Sequence, residues 1–108
     1  MADIKELQTD IRTLVEQINS KHNHSHPELI SHLKVIEELG EITKVLLSTQ
    51  IKSRKNDKLD KAVVAQEMGE EIADAIIALL SLANDFNVDM SDIILGKLEK
   101  HKQRSNSY

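Results

Sequence analysis

A chain of 108 residues with 40% apolar and 30% charged side chains has the length of one domain and enough apolar material for a modest core. Aromatic residues make up only 2%, beside 3 glycines and 1 proline, which excludes the aromatic strands and turns of a β-sandwich or barrel and suits helices of Leu, Ile, Ala, Glu and Lys. The net charge of −4 argues against a nucleic-acid coat, and the absence of cysteine removes disulfide and thiolate chemistry, as expected of a cytoplasmic protein.

The N-terminus lacks a signal peptide's apolar core. The first helix is expected from about Asp3 to Lys21, with Ile4, Leu7, Ile11, Leu14, Val15 and Ile18 at helical spacing. Asp3 and Glu6 form a capping box. After the polar break "SKHNHSHP", Ser25 with Glu28, and Pro27 in the first turn, open a second helix. It carries Leu29, Leu33, Ile36, Leu39, Leu46 and Leu47 and ends near Thr49. A basic connection, "STQIKSRKNDKLDK", leads to a third helix from about Lys58 to Asp85, capped by Asp57. There Ile72, Ile76, Ile77, Leu79, Leu80 and Leu82 point in nearly every direction. The run from Ala75 to Ala83, broken by Ser81, is too short to span a membrane. Then "DFNVDMSD" turns the chain, with Asp89 or Ser91 capping a fourth helix that carries Ile93, Ile94 and Leu98 and frays into "HKQRSNSY".

Helices joined by mostly short links predict one all-α domain over residues 1–108, a four-to-five-helix bundle with antiparallel neighbours. The third helix is apolar on more sides than one small bundle can cover. A dimeric, or dimer-of-dimers, helical core is therefore expected, giving a homodimer or homotetramer.

Two acidic clusters carry the chemistry. The second helix contains "EELGE" (Glu37, Glu38, Glu41) and the third contains "EMGEEIAD" (Glu67, Glu70, Glu71, Asp74). At about 100° per residue, Glu67, Glu70, Glu71 and Asp74 share one side of the third helix, which continues through the small residues Ala78 and Ser81. Glu38 with Glu41, and Glu71 with Asp74, are i,i+3 pairs about 5–6 Å apart at Cβ that can converge on one point. If the two helices pack side by side, four carboxylates meet, and such crowding disfavours joint ionisation. Either some protonate or a cation sits among them. Carboxylate-only ligation is hard and oxygen-rich and favours Mg²⁺, Mn²⁺ or Ca²⁺. Asp74, set among apolar residues, is the carboxylate that solvation explains least. The alternative is a solvated acidic face. Glu37 and Glu41 lie opposite an apolar arc centred near Leu39 and Leu46, and Lys34 or Lys44 can pair with neighbouring glutamates. A di-iron bundle would want an E-x-x-H motif, which the sequence lacks.

These residues resemble the all-alpha nucleoside triphosphate pyrophosphohydrolase superfamily, the MazG-like group, whose pattern is E-E-x-x-E on one helix and E-x-x-D on the next. Here the matches are "EELGE" and "EIAD", followed by the tail-like "AIIALLSLAN" and "FNVDMSDIILGKLEKHKQR", over roughly residues 27 to 104. The resemblance implies a helical bundle assembled as a dimer or dimer of dimers. It implies Mg²⁺-dependent cleavage of an NTP or dNTP between the α- and β-phosphates, with Mn²⁺ as a substitute ion. Glu38, Glu41, Glu71 and Asp74 would hold the metal, and Glu37 would help bind it or orient the attacking water. Lys97 sits at the family's lysine position for phosphate contact, and Arg104 matches a further basic position. His101 stands where the family has asparagine, and Ser105 and Asn106 replace tyrosine-proline. His22 or His26 would stack on or hydrogen-bond a base, against the alternative of a merely histidine-rich polar loop. Lys52, Arg54, Lys55 and Lys58 would steer a triphosphate or simply stay solvated, while Glu67 and Glu70 fall outside the motif.

The leading expectation is therefore a nucleotide pyrophosphohydrolase, of a house-cleaning kind that removes non-canonical or excess dNTPs. Phosphoribosyl-ATP pyrophosphohydrolase is the alternative within the superfamily. A non-enzymatic helical assembly or partner-binding module, its acids only surface charge, is the alternative of another class.

Overall fold

The structure, a computed structural model, describes residues 3–19, 26–54 and 60–106. Among them are four helices and no strand: α1 (Ile4–Asn19), α2 (Pro27–Arg54), α3 (Lys61–Asp85) and α4 (Met90–Asn106). None is long and apolar enough to cross a membrane. The chain divides into two compact units, His26–Leu79 on the one hand and Met1–Ser25 with Leu80–Tyr108 on the other, so α3 runs from one into the other.

The helix starts follow local capping. The Glu6 amide donates to Asp3 Oδ1 at 2.8 Å, which satisfies one of the unpaired N–H groups at the head of α1. Pro27 is the first residue of α2, where its missing N–H costs nothing. The Ser25 cap, the Lys21 end of the first helix, and the start at Lys58 with Asp57 as cap lie outside the described residues. Within them, Asp60 caps α3, accepting from the Ala62 and Val63 amides at 3.0 and 3.3 Å. Asp89, rather than Ser91, caps α4, its Oδ1 accepting from the Ser91 amide at 3.0 Å.

Two ends differ from expectation. The second helix passes Thr49 and continues to Arg54. Nothing in "TQIKSR" breaks a helix, and the Thr49 hydroxyl is satisfied inside it by donating to the Val45 carbonyl at 2.9 Å. The fourth helix holds through "HKQRSN" to Asn106 instead of fraying, with Arg104 in its last turn against the negative end of the helix dipole.

In the His26–Leu79 unit the buried and half-buried positions of α2 are Glu28, Ser31, Val35, Glu38, Glu41, Ile42, Val45 and Thr49, and all but Glu41 step alternately by three and four. On α3 they are Val64, Met68, Glu71, Ala75 and Ala78, in the same step. This is the heptad rhythm of a paired-helix seam, but apart from Ile42 and Met68 its occupants are valine, small or polar. The bulky side chains turn outward. Leu29, Leu33, Leu39, Leu46 and Leu47 of α2 and Ile72, Ile76 and Ile77 of α3 are 42–55% exposed. The arc centred on Leu39 and Leu46 is thus not the face that α2 buries within its own chain. Among the described residues no large side chain is less than 2% exposed, so a single chain encloses little core.

In the other unit Ile11 and Leu80 are the buried apolar residues, joined by buried Gln8 and Asn84. The chain leaves α3 through a Schellman turn. The Val88 amide donates to the Ala83 carbonyl (3.1 Å) and the Asn87 amide to the Asn84 carbonyl (3.0 Å). Asn87 sits at φ 55°, a left-handed conformation that asparagine tolerates better than most residues. Gln8, from α1, secures this turn. Its Nε2 donates to Asn84 Oδ1 (3.1 Å) and to the Val88 carbonyl (2.8 Å), while its Oε1 accepts from the Met90 amide (2.9 Å) at the head of α4. Asn84 Nδ2 returns a bond to the Gln8 carbonyl at 2.9 Å.

Candidate functional site

Both seams of the His26–Leu79 unit carry a glutamate, and the two meet. Glu38 of α2 and Glu71 and Asp74 of α3 each offer a carboxylate oxygen, and these oxygens all lie within 4.8 Å of one another. Glu71 and Asp74 are one helical turn apart, as their i,i+3 spacing requires. Burial is graded across the three: Glu38 is 7% exposed, Glu71 is half-buried and Asp74 is exposed. The sequence marks Asp74 as the acid hardest to reconcile with solvent, yet the enclosed acid is Glu38. The reason is register. Glu38 stands in the α2 seam, whereas Asp74 stands one residue off the Glu71–Ala75–Ala78 stripe.

The electrostatics of the triad are unequal. Lys34 Nζ lies 3.0 Å from Glu38 Oε1 and 3.4 Å from Glu37 Oε1. The bond to Glu38, then the charges of Glu37 and Glu38, hold the Lys34 ammonium above its ordinary pKa. Glu71 is raised as well, but for a carboxyl that shift opposes the charged form. Partial desolvation first, then the charges of Asp74, Glu41, Glu38 and Glu70, raise its carboxyl above the usual carboxylate range. Glu41 turns to Lys44, 3.2 Å away, and is not one of the three converging acids. Lys34 and Lys44 therefore do pair with the glutamates of their own helix. Glu71 and Asp74 have no ion-pair partner among the described residues.

A cluster of three carboxylates, one of them enclosed, suits a hard cation by its donor chemistry. Cis and trans oxygens around Mg²⁺ lie about 3 and 4 Å apart at its usual 2.0–2.1 Å bond length. Side-chain rotation would bring these three acids to such spacings. Glu38, Glu71 and Asp74 are thus the residues able to hold a divalent ion, and Glu41 could join them by releasing Lys44.

Glu37 is exposed beside Lys34, and Glu67 and Glu70 are exposed on α3, with Gln66 Nε2 donating to Glu70 Oε1 at 3.1 Å. His26 precedes α2, exposed, its Nδ1 3.7 Å from Glu28 Oε1. Lys97, His101 and Arg104 are exposed positions of α4, in the other unit. His22, Lys55, Lys58 and the side chains of Lys52 and Arg54 lie outside the described residues. A shallow depression of that other unit, lined by Lys5, Arg12, Asn84 and Asn87 among others, holds polar groups already bonded to one another, as Arg12 Nη1 is to Asn87 Oδ1 at 3.3 Å. The Lys34–Glu38 pair follows from its i,i+4 spacing, although the spacing does not say which neighbouring glutamate Lys34 approaches more closely. The Gln8–Asn84 pair had no local signal at all. Comparison with protein-family models, with curated proteins and with solved structures finds no match to this chain.

Proposed function

We propose that the chain is a Mg²⁺-dependent nucleotide pyrophosphohydrolase of the MazG-like kind. The observation that carries the reading is the convergence of Glu38 with Glu71 and Asp74 from two helices. The motif resemblance expects those same residues to act together. When bound, a divalent ion would offset phosphate charge and lower the pKa of a coordinated water.

The chain's own groups then divide the work. Glu38, Glu71 and Asp74 hold the cation. Glu37, one residue from Glu38 and open to solvent, orients the attacking water through its second carboxylate oxygen while Lys34 holds the first, and the water's proton passes to bulk solvent. The water oxygen bonds to the α-phosphorus, the bridging oxygen leaves with the β-phosphate, and the products are a nucleoside monophosphate and pyrophosphate. The outward leucines and isoleucines of α2 and α3 support assembly as a homodimer or a dimer of dimers, because a lone chain leaves them wet.

The test is a panel of nucleoside and deoxynucleoside triphosphates assayed for pyrophosphate with Mg²⁺. Turnover is expected on at least one, lost in Asp74→Asn with the helical content kept. Full turnover in Asp74→Asn would overturn the assignment. The exposed apolar faces equally favour a second reading, a non-enzymatic helical assembly. That reading requires no pyrophosphate release and no stabilisation by divalent ions.

A further inference from the structure

We propose that Lys34 is the resident counter-ion of the metal-free site, bound to Glu38 and passed to Glu37 when a divalent cation enters. The inference rests on the reading of the triad as a cation site and adds a device that governs its occupancy.

Three observations carry it. Glu38 is the enclosed member of the triad, its side chain 9% exposed, and a buried carboxylate without a positive partner is costly. Lys34 supplies that partner at 3.0 Å, one turn earlier on the same helix, whereas Glu71 and Asp74 have none among the described residues. The Lys34 side chain is itself 54% exposed, and a second acceptor, Glu37 Oε1, already lies 3.4 Å from its ammonium, on a side chain 63% exposed.

The chemistry forces the exchange. An ammonium has three donors and no lone pair, so it cannot join a metal's coordination shell. It also repels a dication competing for the same oxygen. The flexible four-carbon stem lets the head move while its base stays fixed. Glu37 is the ready resting place for that head, since it is already within reach and needs no desolvation to receive it. Charge balance agrees. Three carboxylates with Lys34 carry a formal −2, which one dication cancels, and the lysine need only turn aside.

The test compares the native chain with Lys34→Met and Lys34→Arg. It measures Mn²⁺ affinity by electron paramagnetic resonance and melting temperature with and without Mn²⁺. Lys34→Met should bind Mn²⁺ roughly three- to tenfold more tightly, the range expected for removing a unit charge about 5 Å from a dication in screened water. Without metal it should melt below the native chain, and at saturating Mn²⁺ the gap should close. Lys34→Arg should bind Mn²⁺ no more tightly than the native chain. If Lys34→Met binds Mn²⁺ no better than a native chain that does bind it, the counter-ion role is overturned and the cation site stands. If neither binds Mn²⁺, the site reading falls and takes this inference with it.

Discussion

Consider Asp74→Asn, titrated with Mn²⁺ and followed by thermal melting. Asp74 is exposed, so water's dielectric is the fair choice for its charge. Even there, a unit charge about 2.1 Å from a dication is worth about 4 kcal/mol. The amide oxygen of asparagine recovers part of this, leaving a loss of affinity on the order of a hundredfold. An ion at a hundred times its dissociation constant stabilises the native chain by about 2.7 kcal/mol, and one at its dissociation constant by only about 0.4. At about 4 °C per kcal/mol for a chain of this length, the native protein should gain about 10 °C and the variant about 2 °C. The metal-free variant should melt no lower than the native chain, because the substitution removes one of the charges that crowd Glu71. A variant that keeps the full Mn²⁺ increment would show that Asp74 is no ligand. A native chain without any increment would return the whole cluster to surface charge.

The pH dependence has a definite sign. The folded Glu71 carboxyl is raised above its ordinary 4.5, so its contribution to stability is complete below that value and lost as pH climbs through the folded value. Urea unfolding of the metal-free chain should show this decline across the window just above pH 4.5, and Glu71→Gln should flatten it. In the other unit, Gln8→Glu keeps the shape of the side chain but sets an acceptor against Asn84 Oδ1 and the Val88 carbonyl. It should cost about 2–4 kcal/mol, read as a lower urea midpoint, and Gln8→Met should cost less. If the outward apolar faces join copies of the chain, the melting temperature should rise with protein concentration. Ile76→Asp, at a position 48% exposed in the single chain, should then yield a smaller species by sedimentation with its helicity retained. Unchanged sedimentation would remove Ile76 from any interface.

Much of this was legible because the signals are local. Asp3 and Asp89 read as caps from their place before an apolar periodic run, and Glu71 with Asp74 read as a convergent pair from spacing alone. What depends on a partner element was not legible. A helix like α2 has two apolar arcs, and the bulkier one, at Leu39 and Leu46, gives the stronger sequence signal. The chain instead pairs its narrower, more polar seam, which leaves Glu38 enclosed and the leucines outside. Glu41 matched the acidic pattern as well as Glu38 did, but the three converging acids are Glu38, Glu71 and Asp74, and Glu41 is paired with Lys44. Asp57 and Asp60 carry the same chemistry three residues apart. The described capping bonds belong to Asp60, directly before the first helical residue.

The amide of Gln8 reaches across 76 to 82 residues for its partners. A ribosome adds about 5–20 residues per second, so the glutamine waits roughly 4–16 s after its own synthesis before Met90 exists to meet it. Helix α1 is thus made well before the residues that hold its inward-facing glutamine, and that polar group must stay wet until α4 has begun to form.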